Sequence, residues 1–335
     1  MSAHLHRVAI AGGGLAFDCA QGDTLLRAAQ RAGIGFPYEC NVGSCGNCKF
    51  ELLAGDVSTA WALAPGLSDK DRQRQRHLGC QTSPRSACSI KLRPAERYAP
   101  VQRPAQVGAV LAARRPITHD IHEFRFVLDQ AQPFAPGQYA LAWLPGVTGP
   151  RAYSMSHTEA GAWDFQVRCG PAGSGSAALF ALQAGARVLL DGPYGMAWLR
   201  RSAPRDILCL AGGSGLAPML AIARGALAEP QLAGRRVHFI YGGRTAADLC
   251  GHDLLQGIPG WAERGSYSGF VSTASEASGQ ANVAFVHDAA LALHGAALRE
   301  MEVYFAGPAV MSTAVQGMLL AAGVPPEQQH FDAFY

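Results

Sequence analysis

Nowhere does this sequence approach the roughly 18 uninterrupted apolar residues that mark a membrane span, although 49% of its 335 residues are apolar. The opening MSAHLHRVAI has no apolar core of the secretory kind. Neither membrane insertion nor export is expected; a cytoplasmic chain is. Charge of one sign is missing as well. The net charge is +3, with basic residues exceeding acidic ones by four in 1–98 and by four in 99–205, and falling short by five in 206–335. That asymmetry is too mild for nucleic acid, which calls for a concentrated basic face. A disulfide framework is absent too. Of nine cysteines, Cys19, Cys88, Cys169, Cys209 and Cys250 are scattered singly, as suits small buried residues in a reducing compartment.

The other four cysteines are ordered. ECNVGSCGNCKF places four residues between Cys40 and Cys45 and two between Cys45 and Cys48, and Cys80 follows in HLGCQ. A C-x4-C-x2-C run with a remote fourth cysteine is the plant-type 2Fe-2S ligand spacing. Three thiolates on one tight loop wrap a small inorganic core, and Gly43 and Gly46 permit the close approach of backbone N–H groups to its sulfides. A structural zinc site or unrelated buried cysteines are the alternatives. Zinc usually pairs two short cysteine hairpins, and only one short pair is present.

At this length the chain divides into two or three domains, each able to bury a core. VAIA, a turn at Gly12–Gly14 and LAFDC read as a β-hairpin. A short helix follows, with Asp23 as its cap, Leu25, Ala28, Ala29 and Ala32 on one face and Gly33 at its end. The ligand loop then leads into FELLAGDV. Strand, strand, helix, ligand loop, strand is the order of a β-grasp ferredoxin domain, over 1–98. RPAERYAPVQRP, with Pro94, Pro100 and Pro104, reads as a stiff linker. From 99 to 205 the texture is barrel-like antiparallel β structure, as in HEFRFVL and QYALAWL. From 206 to 335, DILCLAGGSGLAPMLAIARGAL is a buried strand, a glycine turn and a helix with Pro218 in its first turn. With VHFIYGGR and VYFAGP it predicts an α/β doubly wound parallel sheet. Such a turn brings a pyrophosphate to a helix N-terminus, although GGSG is not the GxGxxG fingerprint.

In sequence order, the cysteine loop, RAYS, DGPYG, AGGSGLAPM, YGGR, AGPAVM and the closing HFDAFY resemble the reductase components of bacterial multicomponent oxygenases across essentially the whole chain. The match is similar above all to reductases of soluble di-iron monooxygenases of the toluene type, through FPYECN, ELLAGDV, APGL, LDGPYG and HFD-aromatic. Reductases of ring-hydroxylating dioxygenases share the plan and are the alternative. The resemblance implies a 2Fe-2S ferredoxin domain held by Cys40, Cys45, Cys48 and Cys80, an FAD-binding β-barrel and an NAD-binding domain. It implies Tyr153 against the flavin ring, Ser154 at its reactive edge, and Arg151, Gly173, Ser174 and Ser176 around the FAD pyrophosphate. It further implies Gly212, Gly213, Ser214 and Gly215 near the NADH pyrophosphate, Gly307 and Pro308 near the nicotinamide, and Phe334 or Tyr335 over the flavin. Ala306 departs from the pattern, since the family commonly has Cys there.

NADH would deliver electrons to FAD, and the cluster would hand them to a protein acceptor, a Rieske ferredoxin or a di-iron hydroxylase acting on aromatics or other hydrocarbons. One basic residue, Arg244, beside the acidic Asp248 favours NADH over NADPH. A non-enzymatic redox carrier or sensor is the rival class. A monomer is expected. The run Lys70, Arg72, Arg74 and Arg76 reads either as a solvated face or as an acceptor-steering patch.

Overall fold

The computed structural model describes residues 4–157, 159, 161–170, 175–273 and 282–334. The chain forms two compact units. One runs to Ala105 and takes in Gly192–Tyr194; the other comprises Gln106–Asp191 and Gly195–Phe334.

In the first unit β1 (Leu5–Ile10) and β2 (Ala16–Ala20) are followed by α1 (Leu25–Arg31), β3 (Lys49–Ala54), β4 (Val57–Thr59), α2 (Asp69–Gln73), β5 (Arg76–Leu78), β6 (Thr82–Pro84) and β7 (Cys88–Lys91). The sheet runs β2-β1-β7-β3-β5, with β1 and β7 parallel. Strict alternation along LHRVAI turns Val8 and Ile10 inward, and α1 likewise buries Leu25, Leu26 and Ala29. The cap of α1 is Thr24, not Asp23. The Thr24 hydroxyl accepts from the Arg27 amide, three residues on, whereas Asp23 sits one position too early; it accepts from the Thr24 amide at 2.8 Å and pairs with Arg31. The proline-rich stretch is not a free spacer. Ala95 N donates to Gly35 O at 2.9 Å and the Gln30 amide to Tyr98 O at 3.0 Å, so its first half is tied to the first unit.

The second unit opens with β8 (Ala105–Pro116), β9 (Ile121–Leu128), β10 (Tyr139–Trp143), β11 (Arg151–Ser154), β12 (Ala162–Arg168), α3 (Gly175–Ala181) and β13 (Arg187–Tyr194). The sheet order is β11-β10-β13-β8-β9-β12. A bridge from Met155, just past β11, to Phe165 in β12 joins the two ends and closes a barrel. Leu111, Phe124, Phe126, Trp163 and Leu190 fill it.

The α/β part contains β14 (Asp206–Gly212), α4 (Leu216–Ala228), β15 (Val237–Gly243), α5 (Gly251–Gln256), α6 (Trp261–Arg264), β16 (Gly265–Val271), β17 (Asn282–Val283), α7 (Val286–His294), β18 (Met301–Pro308), α8 (Ala309–Ala321) and β19 (Gln329–Phe334). Its sheet, β17-β16-β15-β14-β18-β19, is parallel throughout and packed on both faces. Strand order reverses at β14, which lies between β15 and β18. In such sheets the crevice at the carboxyl ends of those strands receives the ligand. Two strands carry no sequence signal of their own. GSYSGFV in β16 buries only Val271, and the terminal HFDAF, which reads as a covering tail, pairs along β18 from Gln329 to Phe334.

Iron–sulfur loop, flavin wall and coenzyme cleft

The cysteine loop is shaped by Gly43 and Gly46, at φ +96° and +77°. A Cβ on Gly46 would stand 2.5 Å from Gly66 O, so only glycine lets the loop close. Cys40, Cys48 and Cys80 are buried and Cys45 is half-buried. Cys45 N lies 3.3 Å from Cys40 Sγ, and Cys48 Sγ lies 3.4 Å from Cys80 Sγ. The Cys45 thiol donates to Cys40 and lowers the Cys40 pKa to about 5, and the Cys48 thiol likewise lowers that of Cys80. The sulfurs therefore form two pairs, 40 with 45 and 48 with 80. Among the described residues, no three of them come within 4.8 Å of one another. A tetrahedral zinc, with Zn–S of about 2.3 Å, would gather all four within about 3.8 Å of each other. Two separate pairs suit two irons, so the donor set fits a binuclear cluster and disfavours the zinc alternative.

Behind the loop stand two residues that spacing did not point to. Arg27, buried, donates from Nε to Asn41 Oδ1 and from Nη2 to Asn41 O, both at 3.3 Å, bringing positive charge toward Cys80. Asn41 holds φ +56°, and its place directly after the first ligand was the one available clue. The basic run divides. Arg72 pairs with Asp69 at 2.8 Å and donates to Ala64 O at 3.3 Å, and Arg76 pairs with Asp71 at 3.1 Å, while Lys70 and Arg74 are exposed. Lys49, 2.8 Å away, is the main group holding the Asp71 carboxyl well below the usual carboxylate range.

On the barrel, Arg151 and Tyr153 share one face of β11. Arg151 Nη1 donates to the carbonyls of Thr148, Gly149 and Pro150 at 3.2–3.3 Å. Its stem lies in a notch that a side chain would fill, because a Cβ on Gly175 would stand 2.3 Å from Arg151 Cγ. The Ser176 hydroxyl accepts from Gly170 N at 3.1 Å and fixes the start of α3. Tyr153 is half-buried, 6.2 Å from the Phe165 ring, and burial pushes its hydroxyl up to about 12. Ser154 donates to Asp332 Oδ2 at 2.8 Å. Asp332 was legible only as the acid of HFD. Gly173, Ser174 and Tyr335 lie outside the described residues. A half-exposed aromatic ring and a positioned guanidinium on one strand fit a flavin and its diphosphate.

At the carboxyl ends of β14, β15 and β18 lies a cavity of about 510 Å³, lined among others by Arg168, Gly212, Gly213, Arg244, Pro308 and Met311. Ser214 and Gly215 carry the turn on into α4. A Cβ on Gly215 would come 2.0 Å from Ala306 O and 2.8 Å from Gly307 N, which is why the two strand ends can close on one another. Ala306 itself is fully buried. The two arginines of this lining are each paired with the same two acids beside it. Arg168 reaches Asp120 at 3.0 Å and Asp248 at 3.5 Å, and Arg244 reaches the same two acids at 3.5 Å and 3.9 Å. Burial pushes the Asp248 pKa up, but hydrogen bonds from Thr245 and the Arg168 charge outweigh it, so the carboxyl stays ionised. Arg168 and Asp120 belong to the barrel and were not expected at this site.

Three known domain families account for most of the chain: the 2Fe-2S iron–sulfur cluster binding domain over residues 8–85, the oxidoreductase FAD-binding domain over 108–198 and the oxidoreductase NAD-binding domain over 209–317. They define an NAD-dependent flavin iron–sulfur oxidoreductase. The sequence is 38% identical to a ferredoxin–NAD(P)+ reductase of Metapseudomonas resinovorans, covering 95% of this chain and 96% of that one. It is 32% identical to the xylene/toluene monooxygenase electron transfer component of Pseudomonas putida, over 98% and 93%. The solved ferredoxin reductase in carbazole 1,9a-dioxygenase superposes with a TM-score of 0.93 at 36% identity over the whole of both chains. The chain belongs to the family of ferredoxin–NAD(P)+ reductase components of monooxygenase and dioxygenase systems. It moves electrons from NAD(P)H through FAD and a 2Fe-2S cluster to a protein acceptor. No helix among the described residues is long and apolar enough to cross a membrane.

Proposed function

We propose that this chain is the cytoplasmic, monomeric, NADH-specific reductase of an aromatic- or hydrocarbon-oxidising oxygenase, and that its acceptor is a Rieske ferredoxin or a di-iron hydroxylase. The observation that carries this is end-to-end similarity to a xylene/toluene monooxygenase component, with cluster ligands, barrel and coenzyme cleft all on one chain. A bound FAD would supply the two-electron to one-electron conversion that links a hydride donor to a one-electron cluster. The chain's own task is placement. Tyr153 offers a ring for stacking, Arg151 with Ser176, Gly173 and Ser174 receives the flavin pyrophosphate, and Ser154, tied to Asp332, stands at the reactive edge. Gly212 to Gly215 leave room for the coenzyme pyrophosphate, and Gly307 and Pro308 border the nicotinamide. Arg244 already faces two carboxylates, so a 2′-phosphate dianion gains little there, and NADH is preferred.

The test is an anaerobic titration of the purified protein, reading flavin and cluster absorption, followed by oxygen uptake with an added di-iron hydroxylase or Rieske oxygenase component. Bleaching by NADH and coupled uptake are expected. A colourless protein, or one that NADH leaves oxidised, would overturn the proposal.

A further inference from the structure

Between β4 and α2 the chain exposes apolar side chains where a buried turn would be cheaper. Trp61 is 44% exposed and Leu63 75%, two residues apart, with Ala60, Ala62 and Pro65 also exposed. Their backbone is held firmly. Ala60 N donates at 2.8 Å to the carbonyl of Gln81, the residue after Cys80, and Gly66 N donates at 2.9 Å to Gly43 O inside the cysteine loop. Arg72 clamps the Ala64 carbonyl from the other side. The Trp61 ring lies against the cysteine loop itself, with Cε3 3.2 Å from where a Gly43 Cβ would stand. A rigid indole on the surface, two backbone links from the ligands, has the makings of a binding hot spot. Lys70 in the helix that follows and Arg74 at its end, both exposed, supply positive charge.

We infer that Trp61 and Leu63 are the docking knob for the protein electron acceptor, received by an apolar patch whose rim carries carboxylates facing Lys70 and Arg74. The inference rests on the proposal that a protein draws electrons from the cluster. Electron tunnelling demands a short path, so a partner seated on this loop is placed where the transfer can occur. Arg72 then acts as a positioning residue for the loop, not as a steering charge.

The test compares the parent with Trp61→Ala, Leu63→Ser and the pair Lys70→Glu with Arg74→Glu. Acceptors are the ferredoxin of the carbazole 1,9a-dioxygenase system and the xylene/toluene monooxygenase hydroxylase, used with whichever the parent reduces. Trp61→Ala should lower kcat/KM for the protein acceptor at least tenfold and Leu63→Ser several-fold, at every salt concentration. The charge pair should lose several-fold at low salt and recover at high salt. Ferricyanide reduction, iron content and the reduced-cluster electron paramagnetic resonance spectrum should not change. Unaltered protein-acceptor kinetics in both apolar variants would overturn the inference. So would a concentration-dependent dimer of the parent that Trp61→Ala dissolves, since the knob would then belong to a second copy. A parent that reduces ferricyanide but neither protein would overturn instead the acceptor proposal beneath it.

Discussion

The iron–sulfur loop and the coenzyme cleft are built in opposite ways. Three of the four cluster ligands lie within Cys40–Cys48, and their spacing alone names the chemistry. The cleft draws Arg168 from the barrel, Gly212 and Gly213 from one strand end, Arg244 from beyond the next and Pro308 from a third, and its two arginines are held by Asp120 and Asp248. A thiolate that binds iron has few substitutes, so it leaves a mark in sequence. A cavity for a dinucleotide is made largely of backbone and of glycines that stay out of the way, and any ionic network that lines it is assembled by the fold.

Removing a ligand sharpens the contrast most. Cys45→Ser should abolish bound iron and protein-acceptor reduction, because a hydroxyl does not hold soft iron, while NADH-driven ferricyanide reduction stays within about twofold, allowing for ordinary surface-mutation scatter. Loss of NADH oxidation with every acceptor would show that the two regions are not separable. Cys209→Ser, in the core of the α/β sheet, should leave iron content untouched.

The converse experiment is Gly215→Ala. Its Cβ would overlap Ala306 O at 2.0 Å, so a loss of about 3 kcal/mol in the thermal stability of the flavin–coenzyme unit is expected, as for an overpacked core. Iron stoichiometry should be unchanged, and NADH turnover should fall with the stability. Equal melting in variant and parent would mean that the strand ends have more room than the geometry gives them.

A smaller effect is expected at Ser154. Its hydrogen bond to a carboxylate is worth about 1.5–3 kcal/mol, so Ser154→Ala should slow stopped-flow bleaching of the flavin by NADH about tenfold, at about 1.4 kcal/mol per decade. Asp332→Asn keeps an acceptor oxygen and should recover most of the rate. If both variants bleach at the parent rate, the Ser154–Asp332 pair holds β11 to β19 and nothing more.

The smallest shift concerns coenzyme choice. Asp120→Asn removes one of the two acids facing Arg244, and the NADPH to NADH ratio of kcat/KM should rise about fivefold, the scale of one partly exposed charge pair. A parent already using NADPH as well as NADH would refute the role given to these acids.

Local chemistry was largely legible from the amino acids. The ligand cysteines, the glycines of their loop, the β1–β2 hairpin, the RAYS strand and the strand–glycine turn–helix after Asp206 all announce themselves, because their signals are spacings of a few residues. What needed the tertiary structure is whatever depends on partners remote in sequence. Nothing in GSYSGFV marks it as a strand, since only one of its seven residues is buried, and parallel pairing along β15 makes it one. Asp332 becomes a site residue only because β19 pairs with β18 and brings its carboxylate to a hydroxyl 178 positions away. The four basic residues at 70–76 look alike in sequence, yet two are spent on Asp69 and Asp71 and only Lys70 and Arg74 face solvent. Spacing determines which atoms can bind a metal; the closing of distant strands determines which charges remain free and which glycines are indispensable.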